Sequence, residues 1–264
     1  MLRPRIIPCL LIHKGGLVKT VQFGDPKYVG DPLNAVRIFN EKEVDELIVV
    51  DIDASCENRA PNETLLAQLA AECRMPLCYG GGVKTVEQIE RLISLGIEKV
   101  ALGSAAVDEP RLVARAAERV GSQSIVGVID VKTFGLMRRK EVVVINASRR
   151  TGKEPAAFAR ELEALGVGEI VLNSVDRDGK LNGYDIDLVN SVRREVTVPL
   201  TVLGGAGSMN DICTLVAQHP VIGAAAGSLF VFKGKYRAVL INYPSREERE
   251  ALIRRQTFVQ NQSR

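Results

Sequence analysis

Histidine is nearly absent from this chain: only His13 and His219 occur in 264 residues. A histidine-rich metal centre is therefore excluded, because such sites draw several imidazoles or thiolates together. The five cysteines, Cys9, Cys56, Cys73, Cys78 and Cys213, form no Cys-x-x-Cys pair. Their irregular spacing fits free thiols in a reducing cytoplasm rather than a disulfide framework. Neither sign of charge dominates, the formal net being +3, so no nucleic-acid-binding or membrane-attracting field is expected. No apolar run approaches the ~18 residues of a membrane span, and no secretory leader is expected. These absences leave a soluble, cytoplasmic, enzyme-sized domain with no metal and no cofactor expected.

Glycine, by contrast, is present in a repeated arrangement. Gly80-Gly81-Gly82 and Gly103-Ser104-Ala105-Ala106 each follow an apolar run. The arrangement returns about 124 positions later as Gly204-Gly205-Ala206-Gly207 and Gly227-Ser228-Leu229-Phe230. Glycine lets backbone N–H groups approach a phosphate closely. One anion cradle is therefore expected at Gly81, Gly82, Gly103 and Ser104. A second is expected at Gly204, Gly205, Gly227 and Ser228. Facing cradles would grip a small molecule phosphorylated at both ends.

Strand-like runs fall at Ile6–Ile12, Leu47–Ile52, Pro76–Tyr79, Lys99–Leu102, Ser124–Asp130, Glu169–Asn173, Pro199–Leu203 and Val221–Ala225. Helical patterns separate most of them, such as Thr85–Leu95 and Pro155–Leu165. This describes an α/β fold, a (β/α)8 TIM barrel built from two similar half-barrels at about 1–120 and 121–244. A doubly wound open sheet is the alternative, which the repeat disfavours. Met137–Arg139 and Glu141–Ala147 read as a small hairpin, and 245–264 as a charged C-terminal helix and tail.

Active sites of such barrels lie at the C-terminal ends of the strands. Those ends read Leu11, Asp51, Gly81, Gly103, Asp130, Asp176, Gly204 and Gly227. Asp130 closes an apolar strand and is expected in the mouth as a general acid or base. Asp176 is a second candidate, with Asp178 beside it. Asp51 is expected to be structural, orienting Lys19. His13 lies in a loop near the mouth and reads as a solvated residue.

The motifs Arg5-Ile6-Ile7-Pro8-Cys9-Leu10, Val49-Val50-Asp51-Ile52-Asp53-Ala54-Ser55, Gly80-Gly81-Gly82, Asp130 and Asp176-Arg177-Asp178-Gly179 together resemble the cyclase subunit of imidazole glycerol phosphate synthase. The likeness spans nearly the whole chain. It implies a barrel that binds a bis-phosphate at its top. A glutaminase subunit would dock below as a heterodimer partner, and ammonia would cross the interior. It also implies a catalytic pair of aspartates ending the first and fifth barrel strands, with Lys19 kept nearby. Asp130 matches the second aspartate, whereas Leu11 stands in place of the first. Gly103 stands where the family carries Asn, Asn173 where it carries Thr, and Leu203 where it carries Ser. At the lower rim, Arg5, Glu46, Lys99 and Glu169 match the charges of the family's ammonia gate.

Val18-Lys19-Thr20-Val21-Gln22-Phe23, Asp25-Pro26-Lys27-Tyr28, Gly30-Asp31-Pro32 and residues 39–47 resemble a diverged branch found with surface-polysaccharide genes. That likeness implies acetamidino-sugar formation for O-antigen or lipopolysaccharide, alongside a glutaminase and a separate sugar amidotransferase. No Gly-x-x-x-x-Gly-Lys-Ser nucleotide loop is present, so carbonyl activation would come from another subunit. Two alternatives remain: a true histidine-pathway cyclase in which Asp176 replaces the missing aspartate, or a non-catalytic ammonia conduit that activates the glutaminase.

Overall fold

A computed structural model describes residues 3–251. Eight parallel strands close into the expected barrel: β1 (Arg5–His13), β4 (Leu47–Asp51), β5 (Leu77–Gly80), β6 (Lys99–Leu102), β7 (Ile125–Phe134), β10 (Glu169–Ser174), β11 (Leu200–Leu203) and β12 (Gly223–Ala226). Neighbours pair in that order, and β12 returns to β1 to close the ring. These runs are apolar on both faces because each strand is covered on both sides. Ile7, Cys9, Ile48, Cys78, Ala101, Val126, Val171 and Ala225 fill the interior. Ile6, Leu10, Leu47, Val49, Leu77, Ile129, Ile170 and Leu172 join the larger layer under the helices.

The helices begin where side chains satisfy their first N–H groups. Thr85 and Gln88 form a reciprocal cap on α3 (Val86–Ser94). Ser208 and Asp211 do the same for α8 (Met209–Gln218). Pro155 opens α6 (Pro155–Ala164), with Glu154 accepting from Ala156 and Ala157.

Two excursions rise from the upper rim. The first is a hairpin of β2 (Gly16–Val21) and β3 (Gly24–Gly30), which continues antiparallel from β1. Most of the β3 side chains are exposed, so it carries no apolar signal in the sequence. The second corrects the expected hairpin inside 137–147. Strand β7 runs past Asp130 to Phe134 and itself pairs with β8 (Arg139–Val144), Asp130 lying opposite Val143. The alternation of Val131-Lys132-Thr133-Phe134 sustains that extension. Residues 246–251 are helical, and the rest of the expected tail lies outside the described residues.

Candidate active site

The upper mouth holds a cavity of about 140 Å³ lined by Leu11, Gly81, Gly103, Ser104, Asp130, Asn173 and Leu203, among others. Asp130 sits opposite Asn173 in the β7–β10 register, and its Oδ1 accepts from the Asn173 side-chain amide at 2.9 Å. Burial pushes the Asp130 carboxyl up to about 6. The Asn173 bond pulls the other way, and the charge of Asp178 adds to the rise. Asn173 Oδ1 is buried and meets no donor among the described residues. The mouth thus presents a titratable acid, with Leu11, Val50, Val128 and Leu203 as apolar walls.

The raised pKa has a sign that can be measured. A carboxyl with a higher pKa folded than unfolded binds protons preferentially in the native state, so stability falls as pH rises from about 4 through about 6. Asp130→Asn should therefore stabilise the fold at pH 8, by on the order of 2 kcal/mol after allowing for solvent screening. The gain should vanish below about pH 4. Thermal denaturation of both proteins across that range reads it directly.

Lys19 is buried, its ammonium donating to the Cys9 carbonyl. Burial lowers its pKa, while Cys9 and Asp178 partly restore it. The space it occupies exists because position 227 is glycine: a Cβ there would lie 2.8 Å from Lys19 Nζ. Asp51 does not orient this lysine. Its carboxylate accepts from Arg59 and from the N–H groups of Asp53 and Ala54, fixing the loop after β4. Asp176 sits outside the cavity lining, with Oδ2 accepting from the Thr133 N–H at 2.8 Å and so tying the β7 extension to β10. Asp178 turns inward instead, accepting from the Thr20 hydroxyl at 3.0 Å, and burial raises its pKa.

The two glycine turns have matching surroundings. A Cβ on Gly81 (φ +126°) would come within 2.5 Å of the Asp51 carbonyl, and one on Gly204 (φ +93°) within 2.6 Å of the Ser174 carbonyl. Gly82 and Gly205 press equally closely on the Arg59 and Gly183 carbonyls. The first turn opens into the 140 Å³ cavity. Gly204, Gly205, Gly227 and Ser228 line a smaller recess of about 20 Å³ shared with Asp178. Leu203 borders both spaces. Ser104 and Ser228 open the short helices α4 (Ser104–Asp108) and α9 (Ser228–Val231), where no side chain caps the first N–H groups. Gly103 is different from the others, since a Cβ there would meet only Val128 at an ordinary 3.6 Å. Its missing side chain enlarges the cavity without relieving any strain.

At the opposite end of the barrel the four charged residues form a closed cycle. Arg5 bridges Glu46 and Glu169, the latter at 2.7 Å. Lys99 reaches the same two carboxylates at 2.8 and 2.9 Å. Burial opposes the charge on Arg5, Lys99 and Glu169, yet their partners outweigh it: both cations are held above their usual pKa and Glu169 below its own. Thr201 is a fifth member that the sequence does not reveal. Its hydroxyl donates to Glu169 at 2.5 Å and accepts from Arg5.

Comparison with known proteins agrees with this geometry. Residues 5–237 match the histidine biosynthesis protein family. A Leptospira borgpetersenii protein, provisionally named imidazole glycerol phosphate synthase subunit HisF, is 53% identical over 96% of this chain and 100% of its own length. Firmly named HisF subunits from Hyphomonas neptunium and Alkaliphilus metalliredigens are 41% and 39% identical. They cover 88% and 87% of this chain, each over 91% of its own length.

Proposed function

Because this chain belongs to the histidine biosynthesis family, among the HisF subunits of imidazole glycerol phosphate synthase, we propose that it receives ammonia from a partner glutaminase and uses it in a reaction diverged from cyclisation. That reaction replaces the amide oxygen of a surface-polysaccharide sugar with nitrogen, converting acetamido to acetamidino. Arg5, Glu46, Lys99 and Glu169 gate ammonia at the lower rim. Gly81, Gly82, Gly103 and Ser104 hold one end of a phosphorylated substrate, and Gly204, Gly205, Gly227 and Ser228 the other. Asp130 handles protons at the reacting centre, with Asp178 setting the field around it and Lys19 set in turn beside Asp178. A separate sugar amidotransferase activates the carbonyl.

One observation carries this reading: Leu11 and Asp130 line the same cavity, so the position that resemblance assigns to the first catalytic aspartate cannot move a proton. Losing one of two acid–base groups costs about 10²–10⁴-fold.

The proximity of Asp178, whose charge raises the Asp130 pKa, favours a second reading as a histidine-pathway cyclase using Asp178 as its other carboxylate. Growth separates the two. Expressed in a strain lacking the histidine cyclase, this chain should fail to restore growth without histidine. Robust growth would overturn the proposal in favour of the second reading.

A further inference from the structure

Leu11 puts no proton-transfer group at the position the resemblance assigns to the first aspartate, and the same strand supplies an alternative two residues later. Side chains alternate along a strand. Arg5, Ile7, Cys9 and Leu11 follow the inner face of β1 from the lower rim to the cavity, and His13 is the next residue in that register, at the end of β1 on the upper rim just outside the cavity lining. Its Nδ1 lies 2.7 Å from Asp53 Oδ1, and the Lys14 N–H donates to Asp53 Oδ2 at 2.7 Å. Lys14 and Gly15 both adopt left-handed backbone (φ 49° and 79°), which folds the hairpin so that this N–H reaches the carboxylate. Burial opposes the Asp53 charge, but the Lys14 N–H and His13, helped by Arg59, hold its carboxyl below the usual range. The two Asp53 oxygens are therefore occupied, and His13 Nε2 meets no protein group among the described residues. A carboxylate on one imidazole nitrogen fixes the tautomer and orients the other nitrogen as a base.

We propose that His13, oriented by Asp53, is the proton-transfer group that acts with Asp130 at the mouth. The assignment rests on the reading of the mouth as the reaction site. Ammonia adds through its lone pair to the amide carbon, whose oxygen the amidotransferase subunit has first phosphorylated from a nucleoside triphosphate, forming the C–N bond while the C=N π pair moves to the amide nitrogen. Neutral imidazole takes one proton from the added nitrogen at Nε2, and Asp53 balances the imidazolium charge. The C–O bond then breaks with its electron pair on oxygen, leaving an amidinium, and the departing phosphate receives the proton of protonated Asp130. His13 returns its proton to Asp130, and both groups are restored.

The chain's two histidines make the tautomer measurable without any substrate. Nitrogen NMR of the full chain should show neutral His13 protonated at Nδ1. His219, whose Nε2 lies 3.0 Å from Asn190 Oδ1, serves as the opposite control, protonated at Nε2. Asp53→Asn should abolish the His13 preference and leave His219 unchanged. A wild-type His13 protonated at Nε2 would overturn the proposal whatever the reaction proves to be. For turnover, wild type and His13→Gln are compared in the glutaminase complex, on an acetamido sugar with its amidotransferase and on the histidine-pathway ribonucleotide. On whichever substrate wild type converts, the variant should lose about 10²–10⁴-fold in kcat with glutamine hydrolysis unchanged. Turnover by His13→Gln within about twofold of wild type would overturn the assignment. Conversion of the ribonucleotide alone would instead overturn the sugar reading and leave the kcat ratio to judge His13.

Discussion

Replacing Asp130 by asparagine should lower product formation by about 10²–10⁴-fold while leaving glutaminase binding and stimulation intact. The two halves of that expectation come from opposite ends of the barrel. Asp130 lines the upper cavity, and burial holds its pKa near about 6, within reach of proton exchange at neutral pH. Asparagine keeps the volume and a hydrogen bond to Asn173 but cannot take or give the proton. The lower-rim charges Arg5, Glu46, Lys99 and Glu169 pair with one another and not with these groups, so amide nitrogen should still be released and delivered. Steady-state assays of the reconstituted complex, following glutamine hydrolysis and product in parallel, check both halves. Unchanged product would show a conduit that only delivers ammonia.

The second large effect is on stability. Glu169→Ala removes the carboxylate shared by Arg5, Lys99 and Thr201. Two largely buried cations then compete for Glu46 alone, and the Thr201 hydroxyl loses its acceptor. Breaking a buried ion pair from one side typically costs 3–5 kcal/mol, because the surviving charge stays desolvated. For a chain of this size a loss of about 3–5 kcal/mol lowers the melting temperature by roughly 10 °C. Thermal denaturation of the isolated chain measures it. A shift of only about 1 °C would mean that the cycle behaves as a screened surface cluster. Arg91→Ala, which removes only the exposed pair with Glu63, provides that comparison.

The barrel was legible because its strands are covered on both faces and read as short apolar runs, while Thr85, Pro155 and Ser208 mark helix starts. The glycine turns were legible because close backbone packing at Gly81 and Gly204 admits no side chain. What stayed hidden was orientation. Counting along β10 leads to Asp176, but the chain leaves the strand at Ser174 and enters a 3₁₀ turn, Val175–Arg177, where alternation no longer holds. That turn aims Asp176 at the Thr133 N–H and brings Asp178 toward Thr20. Thr201 looked like any strand residue, and only the close approach of Gly223, where a Cβ would meet its hydroxyl at 2.0 Å, shows how tightly it is placed. The His13–Asp53 pair joins residues 40 positions apart, a proximity that follows from the parallel pairing of β1 with β4.

The central claim is that a nitrogen-delivery route persists beneath a mouth whose acid–base chemistry has changed. Its most direct test supplies the reconstituted complex with glutamine bearing heavy nitrogen in its amide, together with a large excess of ordinary ammonium. Channelled delivery predicts acetamidino product carrying the heavy label largely undiluted. Product that takes its nitrogen mainly from the bulk ammonium would contradict the account.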